Sequence, residues 1–318
     1  MIFGIAYLIV RALHVVLFAI AGRGDRDVLR AVLRLCVSLV APILLVVAGF
    51  VRGSAQLALW GSALAILYLG ALVGHMRGWR VSPEHFVERF GLIIIIAIGE
   101  SIVAIGVGAA RIRLSSGVIV AALLGITVAA CLWWSYFDWL IYTEEAVLAE
   151  ATGARRASLA RDAYSYLHLP MVGGIVLFAF GLKTTLADVS RPLQTVPALG
   201  LCGGLALYFL AHVAMRARIR GDLGRGRPAA TVALFALLPA AKVVPALAAL
   251  GLVAAVCVAL IVYEVVRYRE SRAYIRSRRG AFTIEEASRI EPTRRRERRP
   301  RARHSHTTGG DAQAADRV

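Results

Sequence analysis

Along the chain, apolar residues fall into long blocks separated by short, arginine-rich gaps. The blocks lie at 1–21, 32–51, 55–75, 90–110, 116–139, 166–187, 196–215, 229–241 and 245–266. Several reach the ~20 apolar residues that cross a bilayer as a helix. Lipid cannot hydrogen-bond a backbone, so a spanning segment is either a helix or a strand of a closed barrel. Barrel strands would alternate in short segments, whereas these are unbroken runs of Leu, Ala, Val and Ile. The pattern predicts an all-α fold, a polytopic transmembrane helical bundle of about nine spans over residues 1–266. The eighth block is short. Pro239, Lys242 and Pro245 break the stretch 229–266, which reads either as two spans or as one kinked helix.

Charge chooses between those two. With nine spans, the loops 22–31, 76–89, 140–165 and 216–228 share a side with the C-terminal tail and carry 14 arginines, against 6 basic residues in the opposite loops. Basic loops stay on the cytoplasmic side, so the tail and the arginine-rich loops are expected in the cytoplasm. A single kinked helix would send the basic tail outside. The aromatic cluster Trp133, Trp134, Tyr136, Phe137, Trp139 and Tyr142 falls where the fifth span leaves the membrane, the level at which Trp and Tyr favour the headgroup layer. The N-terminus lacks the basic opening of a signal peptide, and Arg11 interrupts its apolar run.

Composition sharpens this picture. The chain of 318 residues is 58% hydrophobic with a mean hydropathy of +0.68, which excludes an ordinary soluble domain. A formal charge of +17 would point to nucleic acid in a soluble protein, but here it reads as topology, and no nucleic-acid partner is expected. From Arg267 the chain turns polar, and residues 267–318 are expected to form a cytoplasmic, largely disordered basic tail with a net charge of +8. That tail is either a solvated topology anchor or a segment drawn to anionic lipids. Cys36, Cys131, Cys202 and Cys257 stand singly inside apolar runs, which suits buried small side chains better than disulfides or zinc.

Several stretches resemble a known family. Glu88-Arg89-Phe90-Gly91 followed by Gly99-Glu100-Ser101 looks like the signature of the bacterial low-temperature-requirement A family of membrane proteins. Arg11 to His14, Trp133-Trp134-Ser135-Tyr136-Phe137-Asp138, and His168-Leu169-Pro170 leading to Gly173 and Gly181-Leu182-Lys183 are similar as well. The resemblance covers roughly residues 1–266 and implies a multi-pass protein of the bacterial cytoplasmic (inner) membrane. It offers no catalytic residues to carry over. Members of that family open with further spans and a Glu-Leu-Phe-Phe-Asp-type motif, which this sequence does not have. The chain is therefore expected to lack those spans, either genuinely or through a misplaced start.

The residues themselves nominate two polar groups. Glu100 lies mid-span between Gly99 and Ser101. A lone charge at mid-bilayer costs ~3 to well over 10 kcal/mol, so it should face the bundle interior and find a partner or a proton. Arg11, at similar depth in the first span with His14 one turn away, is the obvious partner, since Arg pairs carboxylates bidentately and cannot shed its charge. The second group gathers toward the inner face: His75, Glu88, Arg89, Asp138, His168 and His212. Together they could line a water-filled vestibule; singly, each is an ordinary interfacial side chain. Gly173-Gly174, Gly203-Gly204 and the pair Gly70 and Gly74 suit close helix packing, or broken helices at a transport site.

Enzyme signatures are missing: there is no HExxH, no phosphate-binding GxxxxGKS or GxxxxGKT, and no GxSxG. No cofactor or metal is expected. The leading expectation is an integral membrane protein that moves, or gates movement of, an ion or small solute around an intramembrane Glu. A non-catalytic sensor or scaffold, in which Arg11 and Glu100 lock the bundle, is the alternative. An intramembrane lipid-modifying enzyme using Asp138 and His168 is a third.

Overall fold

The computed structural model describes residues 1–24, 29, 32–33, 35–73, 83–109, 114–138 and 147–269. His75, Trp139, Tyr142 and the tail beyond Arg269 lie outside the described residues. The chain forms α1 (Ile2–Ala21), a 3-10 turn (Val37–Leu39) running into α2 (Val40–Val47), α3 (Ser54–Val73), α4 (Pro83–Ala109) and α5 (Ser116–Phe137). There follow α6 (Gly153–Leu159), a π-helical segment (Ala160–Tyr166), α7 (His168–Ala187), α8 (Thr195–Ala198) and a second π-helical segment (Leu199–Gly203). The chain continues with α9 (Gly204–Arg220), α10 (Gly226–Ala241) and α11 (Ala246–Arg267). Among the described residues there is no strand, only an isolated bridge between Pro192 and Pro245.

Every apolar block becomes helix. Among the described residues, six helices are long and apolar enough to cross a membrane: Ile2–Ala21, His85–Gly108, Ser116–Phe137, Arg155–Ala187, Thr195–Arg220 and Ala246–Arg267. Val37–Val47, Ser54–Leu69 and Gly226–Ala241 are shorter apolar helices, corresponding to the second, third and eighth predicted spans. The break expected at Pro239–Pro245 is present. α10 ends at Ala241, and Pro245, with no N–H to donate, sits immediately before α11. The loop there is tied to the one before α8, with Leu193 N–H on Ala241 O (3.2 Å) and Ala246 N–H on Arg191 O (2.9 Å). At other ends the local chemistry is equally legible. Ser115 Oγ accepts from Val118 N–H at the start of α5, and Gly221 takes φ 74° to stop α9.

The helices pack in two groups. In the first, α1–α3 meet around Ala41, Leu45 and Ala63. In the second, α4 through α11 enclose a larger core that includes Leu132, Phe178, Leu182, Leu205, Phe209 and Val253. Tyr68 and Tyr166 join the two, each hydroxyl donating to the other's carbonyl at 2.9 Å with the rings edge-on. Inside the larger group, α7 and α9 cross at glycines. A Cβ on Gly204 would stand 2.7 Å from Gly174 O, so only glycine permits that approach. Of the two Gly-Gly pairs, Gly174 and Gly204 serve the crossing; Gly173 faces open space, and Gly203 meets only Leu199.

Candidate functional site

The second group concentrates its buried polar side chains at one end. α5 reaches that end with Ser135 and Tyr136, α7 begins there with His168, α9 passes through with Tyr208 and His212, α10 starts there, and α11 finishes there. Ser135, Tyr136, His168, Tyr208 and His212 are all at most 2% exposed. Arg227, one residue into α10, holds Glu264, in the last turn of α11: Nε to Oε1 is 2.8 Å, with side-chain exposures of 12% and 11%. Its Nη2 lies 3.4 Å from Glu264 Oε2 and donates to the Ser135 carbonyl at 2.8 Å. One guanidinium thus ties three helices together, and its fork geometry is what a lysine could not supply.

From this ion pair the polar chain runs inward. Ser135 Oγ is 2.9 Å from Leu132 O and 3.2 Å from Tyr208 Oη, which itself donates to Leu132 O at 2.8 Å. The Tyr208 ring lies against His212, centroids 4.3 Å apart. His212 Nδ1 donates to Tyr208 O at 2.9 Å, leaving Nε2 as a buried acceptor with no hydrogen-bond partner among the described residues. His168 is held in the same tautomer, since Nδ1 donates to Ala163 O (3.0 Å) and Nε2 therefore accepts from Tyr136 Oη (2.8 Å). Tyr164 stacks on the His168 ring at 5.1 Å and Phe90 closes on it at 4.9 Å. These histidines are packed among aromatic rings.

The structure thus brings His168 and His212 together, with Asp138 half-buried at the end of α5. It leaves Glu88 and Arg89 on the surface, where Glu88 faces His85 at 3.9 Å. The mid-span group divides too. Arg11 Nη2 donates to Ser38 Oγ, which in turn donates to Leu35 O at 2.6 Å, while the exposed His14 stacks on Phe18. Glu100 is exposed on the outer face of α4, and no ion pair between it and Arg11 forms among the described residues. Its neighbour Ser101 is the residue that turns inward, fully buried and with Oγ unpartnered among the described residues.

Sequence reasoning missed Arg227 and Glu264 as a pair. Arg227 reads as one of the loop arginines, and Glu264 stands inside the last span with no motif around it. The signal was present, because Glu264 is the one acidic residue in the block 246–267 and topology places it at the arginine-rich end.

Long apolar helices enclosing an ion pair and two buried histidines define a multi-pass membrane protein with a polar interior at one end. The chain belongs to the bacterial low temperature requirement A protein (LtrA) family, whose model matches residues 1–262. It is similar to the "Uncharacterized protein RA0937" of Rhizobium meliloti (strain 1021), with 29% identity over 173 residues. That match covers 51% of this chain and 41% of the relative's length. No solved structure matches it.

Proposed function

We propose that this protein moves, or gates the movement of, a proton or small ion across the bacterial inner membrane. Its working part is the buried chain Glu264–Arg227–Ser135–Tyr208–His212. The observation that carries this reading is His212 Nε2, a fully buried imidazole acceptor left open beside hydroxyls and an ion pair. Ionisable groups inside a membrane bundle are costly and concentrate where protons or ions pass. Glu100 is a second, outer carboxylate on this reading; the interior acid is Glu264. On this reading the arginine-rich end of the bundle, where the network sits, faces the cytoplasm.

Reconstitution into liposomes tests it. The parent protein should carry a proton or cation flux driven by an imposed gradient. His212→Gln should keep the fold, as judged by its melting profile in detergent, and reduce the flux at least tenfold. Unchanged flux in His212→Gln would remove the network from the pathway. The sensor or scaffold reading is favoured by the satisfied geometry of Arg227 and Glu264, which suits a lock. On that reading the parent protein carries no flux at all.

A further inference from the structure

On the outside of the bundle, α10 and α11 part to leave a groove of about 590 Å³. Its walls are Ala229, Ala230 and Ala233 from α10 and Val256, Ala259 and Leu260 from α11. Small side chains on both helices make the gap: four of these six are alanine. The volume falls in the ~300–1,000 Å³ range of small-molecule sites. At one end the lining changes character, to Arg225, Gly226 and Tyr263. The Tyr263 ring is seated against bare backbone there, since a Cβ on Gly226 would stand 2.8 Å from the ring carbons.

The charge at that end is uneven. Arg216 pairs with Asp222 (2.6 Å), Arg218 with Asp162 (3.0 Å) and Arg227 with Glu264 (2.8 Å). Arg225, exposed at the mouth of the groove, has no carboxylate partner among the described residues. An apolar slot ending in an uncommitted guanidinium beside a phenol is complementary to an acyl chain joined to a phosphate. Guanidinium matches phosphate in charge and in fork geometry, and an aromatic hydroxyl at headgroup depth adds a donor. We propose that the α10/α11 groove binds one acyl chain of an anionic phospholipid, whose phosphate pairs with Arg225.

The groove's lining shares no residue with the buried network. Its occupant would sit on the outer face of the two helices that Arg227 and Glu264 bind together from within.

Native mass spectrometry of the full-length protein, delipidated in detergent and titrated with phosphatidylglycerol or with phosphatidylcholine of the same chains, tests the assignment. The parent protein should retain phosphatidylglycerol preferentially. Arg225→Gln, at an exposed side chain, should weaken that retention about tenfold, the order of one charge-assisted contact. Ala259→Phe, which fills the slot, should lower retention of both lipids. Arg191→Gln, at an arginine 85% exposed in another loop, should change nothing. Excess inorganic phosphate should not displace the bound lipid. Equal retention of the two lipids by the parent, an undiminished preference in Arg225→Gln, or displacement by phosphate alone would each overturn the proposal.

Discussion

The α1–α3 group and the α4–α11 group are both made of apolar helices, yet they are built differently. In α1, 6% of the membrane-length window is buried within the chain; in Thr195–Arg220 it is 72%. The first group has a core of Ala41, Leu45 and Ala63, and leaves Ile9, Leu13, Val16 and Leu17 outward. The second buries aromatic rings, two histidines and an ion pair. Lipid tails are as apolar as leucine, so hydrophobicity inserts a helix into a bilayer without telling it which neighbour to pack against. Glycine contacts at backbone distance occur in both, since a Cβ on Gly4 would stand 2.8 Å from Val46 N; what separates the two groups is fully buried hydrogen bonds and paired charge, which lipid cannot match.

The largest effect should come from the ion pair. Removing one partner of a buried salt bridge leaves an uncompensated charge and costs about 3–5 kcal/mol. Arg227→Met or Glu264→Leu alone should therefore lower stability in detergent by that order, and the double variant should recover most of it. A double variant as unstable as the worse single one would show that the pair does not act as a unit. No single side chain in the α1–α3 group should approach this effect.

Next come the glycines. Gly204→Val puts methyl groups into the Gly174 carbonyl, and overpacking of this kind costs about 1–3 kcal/mol. Gly61→Ala, in α3 where a Cβ would meet nothing within 4 Å, should cost nothing and raise the melting temperature slightly, since Ala is the better helix former. The contrast between the two substitutions measures what close helix approach contributes, and Gly4→Val, where a Cβ would stand 2.8 Å from Val46 N, should show the same cost in the first group.

A smaller effect is expected between the groups. Arg11 is committed to Ser38, so losses from Arg11→Leu and Glu100→Leu should add to within about 0.5 kcal/mol in a double-mutant cycle. Coupling beyond that would bring the two residues together and erase the division drawn here.

The smallest concerns a loop outside the spans. At Asp222, burial raises the carboxyl pKa, but the Arg216 guanidinium, 2.6 Å away, and the Gly224 N–H outweigh it and hold the pKa below the ordinary 3.8. A depressed folded pKa means stability that is present above 3.8 and is lost as pH falls through the lower folded value. Thermal unfolding followed into acid should show a small step there, absent in Asp222→Asn.

The sequence told the positions of the helices well and their faces poorly. The blocks were visible because a membrane demands ~20 apolar residues in a row. The sixth was read as starting at 166, whereas helix begins at Gly153, because Arg155, Arg156 and Arg161 make its first turns too polar for a hydropathy reading. In α4 the residues Ile94, Ile98, Ser101 and Ile105 turn inward, while Ile96, Glu100, Val103 and Val107 face out. Isoleucine and valine lie on both sides, so no periodicity marked the difference. Glu100 was placed inside by its cost alone, and cost says that a charge needs something without saying where that something is. His168 and His212 were found because polar residues in apolar runs are conspicuous. Glu264, three residues before Arg267 at a span end, carries no motif that singles it out.

The Arg227–Glu264 pair also has a meaning in time. The two residues are separated by 37 positions, and a chain made at ~5–20 residues per second delivers the second on the order of 2–7 s after the first. During that interval α10 exists without the carboxylate that neutralises it. Arg227 lies one residue inside α10 and so can wait in the headgroup layer, and the arrival of α11 releases it inward. The bond that ties α5, α10 and α11 together is thus made only once α11, the last of the described helices, has been synthesised.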